Sequence, residues 1–415
     1  MKVEPLEVRP LSAADEAEFF EVDQWAFGFD PADAELDAAR EELEWHRVAG
    51  VRLGDPPKLV GIHAVLTQTL TVPGGSLACA GLTWVGVHPT ARRRGVLRAM
   101  MRYHLDDARD RGEPVSALFA AEPAIYGRFG YGLTSSWVEL TLGRGAALRD
   151  VPGSDRLVAS FETADRTEHG PLVADVFERA RLTRPGGVSR SRGALWDSAF
   201  VMPPSAQRGH DLLRLLTVRD AGGDVRGYAL FTRRVDWSST GADGTVSVRE
   251  AVALDPVAEH ALWTRLLDLD LTSKVEVRRR AVDDVLLHLL VDVRAANPRF
   301  SDALWVRVVD LPTALAARRY PVPVDVVLQV ADELCVSNAG RWRLEGGPDG
   351  ASCTRTDAAA DLALGVRDLA SAFLGGQSLL ALANAGLVGE LRPGALFRAA
   401  AAFGWPIAPY SGWLF

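Results

Sequence analysis

The chain has 415 residues, 48% hydrophobic and 24% charged, with 46 basic against 54 acidic side chains and a net charge of −8. That length predicts two or three domains, and the acidic balance argues against nucleic acid as a partner while suiting a cationic small molecule. The apolar runs are too short for a membrane span and "MKVEPLEVRP" is not a signal peptide, so a cytoplasmic protein is expected.

Taken in chain order, "SAADEAEFFEVDQWAF" opens with Ser12 and Asp15 at capping-box spacing, which predicts a helix. "HRVAGVRLGD" and "PPKLVGIHAVLTQTLTVPGG" read as strands, with Gly74-Gly75 as a hairpin signal before the strand "LACAGLTWVGV". A helix over 96–110 and a short strand, "PVSALFA", complete the first block. The same order returns more weakly: "DVRGYALFTRRVDWSSTGADGTVSVREAVAL" gives strands, "DPVAEHALWTRLLDLD" a helix and "KVEVRRR" a strand. A repeat at this interval indicates domain duplication. From Leu304 the texture changes to alternating strand-like segments and then Ala/Leu-rich helices, a third α+β block that ends in the apolar tail "GWPIAPYSGWLF". Such a tail is expected to dock rather than fray. The boundaries that follow are 1–150, 151–303 and 304–415.

Cys79, Cys335 and Cys353 are odd in number and lack ligand spacing, so buried free thiols and no metal are expected. The histidines show no HxxxH or HxxE spacing, and no GxSxG nucleophile elbow is present. Only Lys2, Lys58 and Lys274 are lysines, an arginine bias that reads as genome composition.

The informative stretch is "VGVHPTARRRGVLRAMM", residues 85–101: an apolar strand, a proline break, three arginines, one glycine and an amphipathic helix. A helix amino terminus offers unpartnered N–H groups and the positive end of the macrodipole, so it is ready to bind an anion. Gly95 lets a phosphate approach the backbone, and the arginines add charge. Leu97, Met100, Met101 and Leu105 have the spacing of a buried face. A solvated basic turn is the plain alternative, and it is the reading given to the second triplet, Arg278-Arg279-Arg280, which has no glycine after it.

Arg92, Arg93, Arg94, Gly95, Val96 and Leu97 resemble the acyl-CoA pyrophosphate pattern Q/R-x-x-G-x-G/A of the GCN5-related N-acetyltransferases, with Leu97 in place of the small residue. "FAAEPAIYGRFGYG" resembles the segment in which such enzymes carry a tyrosine and a glycine–aromatic pair, here Tyr126 and Gly130-Tyr131. The whole chain resembles the Eis (enhanced intracellular survival) family: an α/β (α+β) fold of tandem acetyltransferase-like domains, the second degenerate, followed by a sterol-carrier-protein-like domain.

That resemblance implies an acetyl-CoA-dependent N-acetyltransferase. Val85, Gly86 and Val87 would lie along the pantetheine. Arg93, Arg94, Gly95, Val96, Leu97 and Arg98 would wrap the pyrophosphate, with Ala121 and Glu122 also lining the cofactor. Tyr126 would be the general acid toward the thiolate, and the carboxylate of Phe415 the base or anchor for the amine. Amine attack would be direct, since no cysteine lies in the cofactor motifs. Acceptors would be multi-amine molecules such as aminoglycosides, or lysine side chains, and the protein a homohexamer built as a dimer of trimers. Glu21, Asp23 and Asp30, near Trp25, Phe27 and Phe29, are candidates for drawing in a cationic substrate, with Trp84 as a wall. Two rivals stand beside this: a lipid- or sterol-binding protein with a vestigial acetyltransferase domain, and an enzyme for a longer acyl-CoA.

Overall fold

The computed structural model describes residues 6–28, 40–190, 193–202, 209–239 and 241–415. They form two compact units: unit 1 takes residues 1–135, 303–406 and 415, and unit 2 takes residues 136–302 and 407–414.

Unit 1 contains two sheets. The first has seven strands in the order β1-β2-β3-β4-β5-β16-β6, with β1 Val8–Pro10, β2 Val48–Leu53, β3 Lys58–Val72, β4 Gly75–Val87, β5 Val115–Phe119, β6 Gly132–Leu133 and β16 Leu304–Val308. The hairpin between β3 and β4 turns at Pro73-Gly74, with Val72 paired to Gly75. The capping box forms as its spacing predicts, on a 3-10 turn, Ala13–Asp15, that runs straight into the helix Glu16–Phe27. That helix packs Phe19 and Phe20 on Ile62 and Ala64. The helix Val96–Asp110 buries Met101 and Leu105 with Val65, Ala80 and Leu82. Alternation along β3 and β4 thus presents apolar side chains to both layers.

The second sheet of unit 1 runs β19-β18-β17-β20-β21, with β17 Val324–Ala331, β18 Gly340–Gly347, β19 Gly350–Arg355, β20 Leu362–Gly365 and β21 Val388–Glu390. A buried ion pair ties the two sheets together. Arg307 on β16 donates to both carboxylate oxygens of Asp332 at 2.7 and 2.8 Å, and to the Phe129 carbonyl at 2.8 Å. Arg318 is also fully buried but has no carboxylate partner among the described residues; it donates to the carbonyls of Phe373 and Phe403, at the ends of the helices Val366–Phe373 and Ala395–Phe403. A cation at two converging helix carboxyl ends satisfies orphan carbonyls and opposes both dipoles.

Unit 2 has a seven-stranded sheet in the order β15-β7-β14-β13-β10-β9-β8. Its strands are β7 Ser136–Gly143, β8 Val158–Thr163, β9 Arg214–Arg219, β10 Val225–Arg234, β13 Gly244–Ala253, β14 Thr272–Ala281 and β15 Arg299–Asp302; β11 Trp237–Ser238 and β12 Gly241–Ala242 form a small separate pair. Chain order and sheet order part here. β7 leaves the first block to join the second sheet, and β16 returns to lie between β5 and β6 of the first. The parallel pair β13–β14 repeats the parallel pair β4–β5, as the duplicated pattern predicts. The helix Pro256–Leu267 buries Leu262, Trp263 and Leu266 in the core of this unit.

The second arginine triplet is not a surface run. Arg280 is buried and paired with Glu259 and Asp284, and only Arg278 of the three is exposed. The three cysteines are buried free thiols.

Candidate active site

The strand pair β4–β5 makes the opening. Its parallel register covers only Cys79↔Val115, Ala80↔Ser116 and Gly81↔Ala117. On its other edge β5 pairs with β16 along its whole length, from Val115↔Val308 to Phe119↔Leu304, while Leu118 and Phe119 have left β4. Among the described residues, β4 from Leu82 to Val87 therefore has a partner strand, β3, on one side only. The other edge keeps backbone N–H and C=O groups free for a ligand. The register with β3 also slips between Ile62 and Ala64, and Trp84 at the slip has φ +47. This is the bulge that Gly86 in "TWVGV" suggested, centred one or two residues earlier. Gly86 itself answers a different need, because a Cβ there would stand 3.0 Å from that of Ala26 on the neighbouring helix.

Beyond β4 the chain turns through the 3-10 segment Pro89–Ala91 into the arginine run. Gly95 caps the helix Val96–Asp110 at φ +86 with no side-chain cap bond, and no acidic residue stands in the first turn. Its glycine is set by this left-handed backbone; a Cβ would meet only Leu6 at 3.7 Å. Arg92, Arg93, Arg94 and Arg98 are exposed and form no ion pair among the described residues. Helix geometry leaves the first N–H groups open, so charge and donors converge on one spot.

The second copy shows what closing such a site looks like. Asp255 caps the helix Pro256–Leu267, taking the Ala258 N–H at 2.9 Å, and Pro256 lacks an N–H altogether. An anion finds no vacancy there.

A cleft of about 650 Å³ lies along this edge of unit 1. Of the residues marked in the sequence, Val85, Val87, Arg93, Gly95, Val96, Leu97, Arg98, Ala121, Glu122 and Tyr126 line it; Gly86, Arg94 and Phe415 do not. Ala26, Phe27, Ala91, Ile125, Arg128 and Phe129 also line the cleft without having been assigned to the cofactor. "IYGRFGYG" carried a signal for three of these, whereas Ala26 is an ordinary helix alanine. Arginines, free amide donors and an unpaired strand edge in one cleft suit a diphosphate joined to an amide chain.

Tyr126 ends the short helix Pro123–Tyr126 and is half-buried, its ring 6.0 Å from that of Tyr131. Burial, and next the charge of Glu122, push its phenol up to about 12. It therefore keeps its proton across the physiological range. Tyr131 behind it is fully buried and shares a 2.7 Å hydrogen bond with the Ser116 hydroxyl.

The tail docks, as its apolar character predicts. In unit 2 the Trp413 indole donates to the Val188 carbonyl at 3.0 Å and the Tyr410 hydroxyl to the Arg279 carbonyl at 2.7 Å. The Trp137 indole donates to the Ser411 carbonyl at 3.1 Å. Arg190, ion-paired with Glu250, stacks on Phe177, Trp196 and Trp413 at 4.4, 4.8 and 5.2 Å. In unit 1 the ring of Phe415 meets Phe119, at the end of β5, edge-on at 5.1 Å. Of the acidic candidates, Glu21 is exposed, Asp23 is buried in its helix and does not line the cleft, and Asp30 lies outside the described residues, as does Phe29. Trp84 packs against the Phe19–Ile62 cluster.

One grouping elsewhere has metal-like spacing, Glu162, Glu168 and His169. There the Asp165 N–H donates to His169 Nδ1 at 3.0 Å, so in the neutral ring Nε2 carries the proton and faces Glu162, also at 3.0 Å. That is a hydrogen bond rather than a ligand geometry. No helix among the described residues is long and apolar enough to cross a membrane.

The chain matches family models for an acetyltransferase (GNAT) domain over residues 7–134, another acetyltransferase (GNAT) domain over 186–308 and a sterol carrier protein domain over 311–412. It is 44% identical over 390 residues to an uncharacterized N-acetyltransferase of Streptomyces avermitilis, covering 92% of this chain and 93% of that one. To the N-acetyltransferase Eis of Mycobacterium tuberculosis it is 38% identical over 337 residues, 80% of each chain. The solved structure of Eis1 from Mycobacterium abscessus superposes with a TM-score of 0.84 at 33% identity, over 99% of this chain and 100% of that one. A splayed β4–β5 edge, an uncapped arginine-flanked helix and these relatives lead to one conclusion: the chain belongs to the Eis family of GCN5-related N-acetyltransferases and is an acetyltransferase with two GNAT domains and a sterol-carrier-like domain.

Proposed function

We propose that this enzyme transfers acetyl from acetyl-CoA directly to primary amines of multi-amine acceptors, aminoglycoside-like molecules or lysine side chains, at the cleft of unit 1. The observation that carries the reading is the cleft itself, where the unpaired edge of β4, the Gly95-capped helix and Tyr126 meet. Acetyl-CoA supplies the activated acetyl group. Arg93, Arg98 and the open N–H groups behind Gly95 bind its pyrophosphate, with Arg94 adding charge from outside the cleft lining, while Ala121 and Glu122 wall the cofactor. The backbone from Val85 to Val87 orients the pantetheine and aims an N–H at the acetyl oxygen, so charge developing there meets a fixed donor.

Tyr126 presents its hydroxyl to the leaving sulfur. With the phenol at about 12 and a thiol near 8.5, full proton transfer is uphill by about 3 to 4 units. Tyr126 therefore serves as general acid through a hydrogen bond to sulfur as charge builds, and the proton shed by the attacking amine completes the exchange. Phe415 lies outside the cleft lining but its ring rests on Phe119 at the end of β5, and in this reading its carboxylate draws in the ammonium and accepts its proton through water. Burial raises the thiols of Cys79, Cys335 and Cys353, and none of them lines the cleft, which favours direct attack over an acetyl-cysteine. Exposed apolar side chains on the sterol-carrier-like part, Leu391 and Phe397 among them, support self-association into the family's hexamer.

Thiol release from acetyl-CoA, followed across a panel of aminoglycosides, polyamines and lysine peptides, tests this. Amine-dependent release that falls when one residue is appended after Phe415 is the expected result. Tight CoA binding with no release for any amine would overturn the reading.

A further inference from the structure

Unit 2 carries its own cleft of about 510 Å³ on β10, β13 and β14, with Arg249, Arg278 and Arg279 in its lining. We propose that this cleft binds a small, multiply charged oxyanion, a phosphate monoester or a dicarboxylate, held by these three arginines.

Charge is the first argument. None of the three has a carboxylate partner among the described residues. Arg249 donates only to the Ser198 carbonyl at 2.6 Å and the Met202 sulfur at 3.1 Å, and Arg279 lies 6.0 Å from the Trp137 ring. The nearby carboxylates are engaged elsewhere. Glu250 holds Arg190 and Tyr228, and Glu276, which also lines the cleft, takes Lys274 at 3.1 Å. Burial lowers Arg249 from the usual guanidinium range; the Glu250 charge opposes this, and Arg279 and Arg190 add to it. Glu250 is itself ion-paired with Arg190, so Arg249 has a neighbouring carboxylate but, among the described residues, no ion pair of its own to offset desolvation.

The backbone points to the same cleft independently of charge. The register of β10 against β13 slips between Leu230 and Phe231, which makes Arg249 the extra residue. The register of β14 against β7 slips between Val277 and Arg280, and Arg279 in that slip has φ +53. Bulges re-aim side chains beside binding sites, and a non-glycine residue held in the left-handed region is a strained one. Two strands thus each bulge at an arginine, and both arginines reach one cleft.

Size and lining complete the picture. The cleft falls within the roughly 300–1,000 Å³ range of small-molecule sites and exceeds what a bare ion fills. Ser247, and His210 hydrogen-bonded through Nδ1 to Thr232 at 3.1 Å, add polar groups suited to a hydroxylated ligand. The pyrophosphate-type site on this unit's helix is closed by Asp255, so the retained charge serves a different anion.

The test is calorimetric titration of the full chain, saturated with CoA so that the arginines of unit 1 are occupied, with inorganic phosphate and separately with succinate against chloride at constant ionic strength. Saturable binding of either anion, weakened about tenfold in Arg279→Gln and in the exposed Arg278→Ala, is expected, each arginine being a charge-assisted donor. Preference for phosphate or for succinate then identifies the ligand class. Arg278→Ala keeps the test informative should the strained Arg279 position not tolerate change. No saturable binding of either anion, or binding undiminished in both variants, would overturn the proposal.

Discussion

Asp23 offers a test of the fold's electrostatics that needs no substrate. It sits on the helix Glu16–Phe27, is 3% exposed, and its Oδ1 has no hydrogen-bond partner among the described residues. Burial pushes its carboxyl from 3.8 up to about 6. The folded value lies above the unfolded one, so the native state binds more protons between the two. The contribution of Asp23 to stability is therefore greatest below about pH 4 and falls as pH rises to the folded value. A gap of roughly two units, at about 1.4 kcal/mol each, comes to about 3 kcal/mol lost by pH 8. Asp23→Asn keeps the size and removes the ionisation. It should match the wild type at pH 4 and exceed it by about 3 kcal/mol at pH 8. For a unit of this size that is a rise of about 6–12 °C in the melting midpoint. Thermal unfolding of both proteins at the two pH values checks it. An equal difference at both, or a less stable variant at pH 8, would mean that the carboxylate is compensated and the reasoning fails.

Other perturbations probe the site and its supports. Gly95→Ala places an L residue at φ +86 with only an ordinary contact to Leu6, so about 1–2 kcal/mol of strain is expected together with a raised KM for acetyl-CoA. Gly112→Ala, at φ +72 with nothing near the added Cβ, should cost similar stability and leave KM alone. Arg318→Met strips donors from the buried Phe373 and Phe403 carbonyls and should cost about 2–5 kcal/mol in chemical denaturation; a near-neutral change would contradict the capping role. Trp413→Ala removes the indole bond to Val188 and the stack with Arg190, and should raise the acceptor KM while the acetyl-CoA KM holds; a change confined to acetyl-CoA would refute the tail's role toward the amine.

Much of the fold could be read from local pattern. The helix over 96–110, the hairpin before β4 and the repeated strand–helix order all rest on periodicity and turn chemistry, which a short window contains. The exchange of β7 and β16 could not be read this way, because pairing partners 174 residues apart, such as Gly132↔Val306, leave no trace in either segment alone. The second arginine triplet misled in part for the same reason: Asp284 is a local partner of Arg280, four residues on, but Glu259 comes from the separate helix Pro256–Leu267. Within the cleft, arginines and glycine announced themselves, while Ala26 and Phe27 enter through helix packing that sequence spacing does not report.

The central claim is that a protonated Tyr126 assists departure of the thiolate in direct acetyl transfer to an amine. Its most direct test is kcat for Tyr126→Phe at saturating acetyl-CoA and amine, alongside calorimetric acetyl-CoA affinity. The account predicts a fall of about 100-fold or more with affinity unchanged, and, in the wild type, no loss of rate from phenol ionisation until pH nears about 12. A phenylalanine variant that turns over at close to the wild-type rate would contradict it.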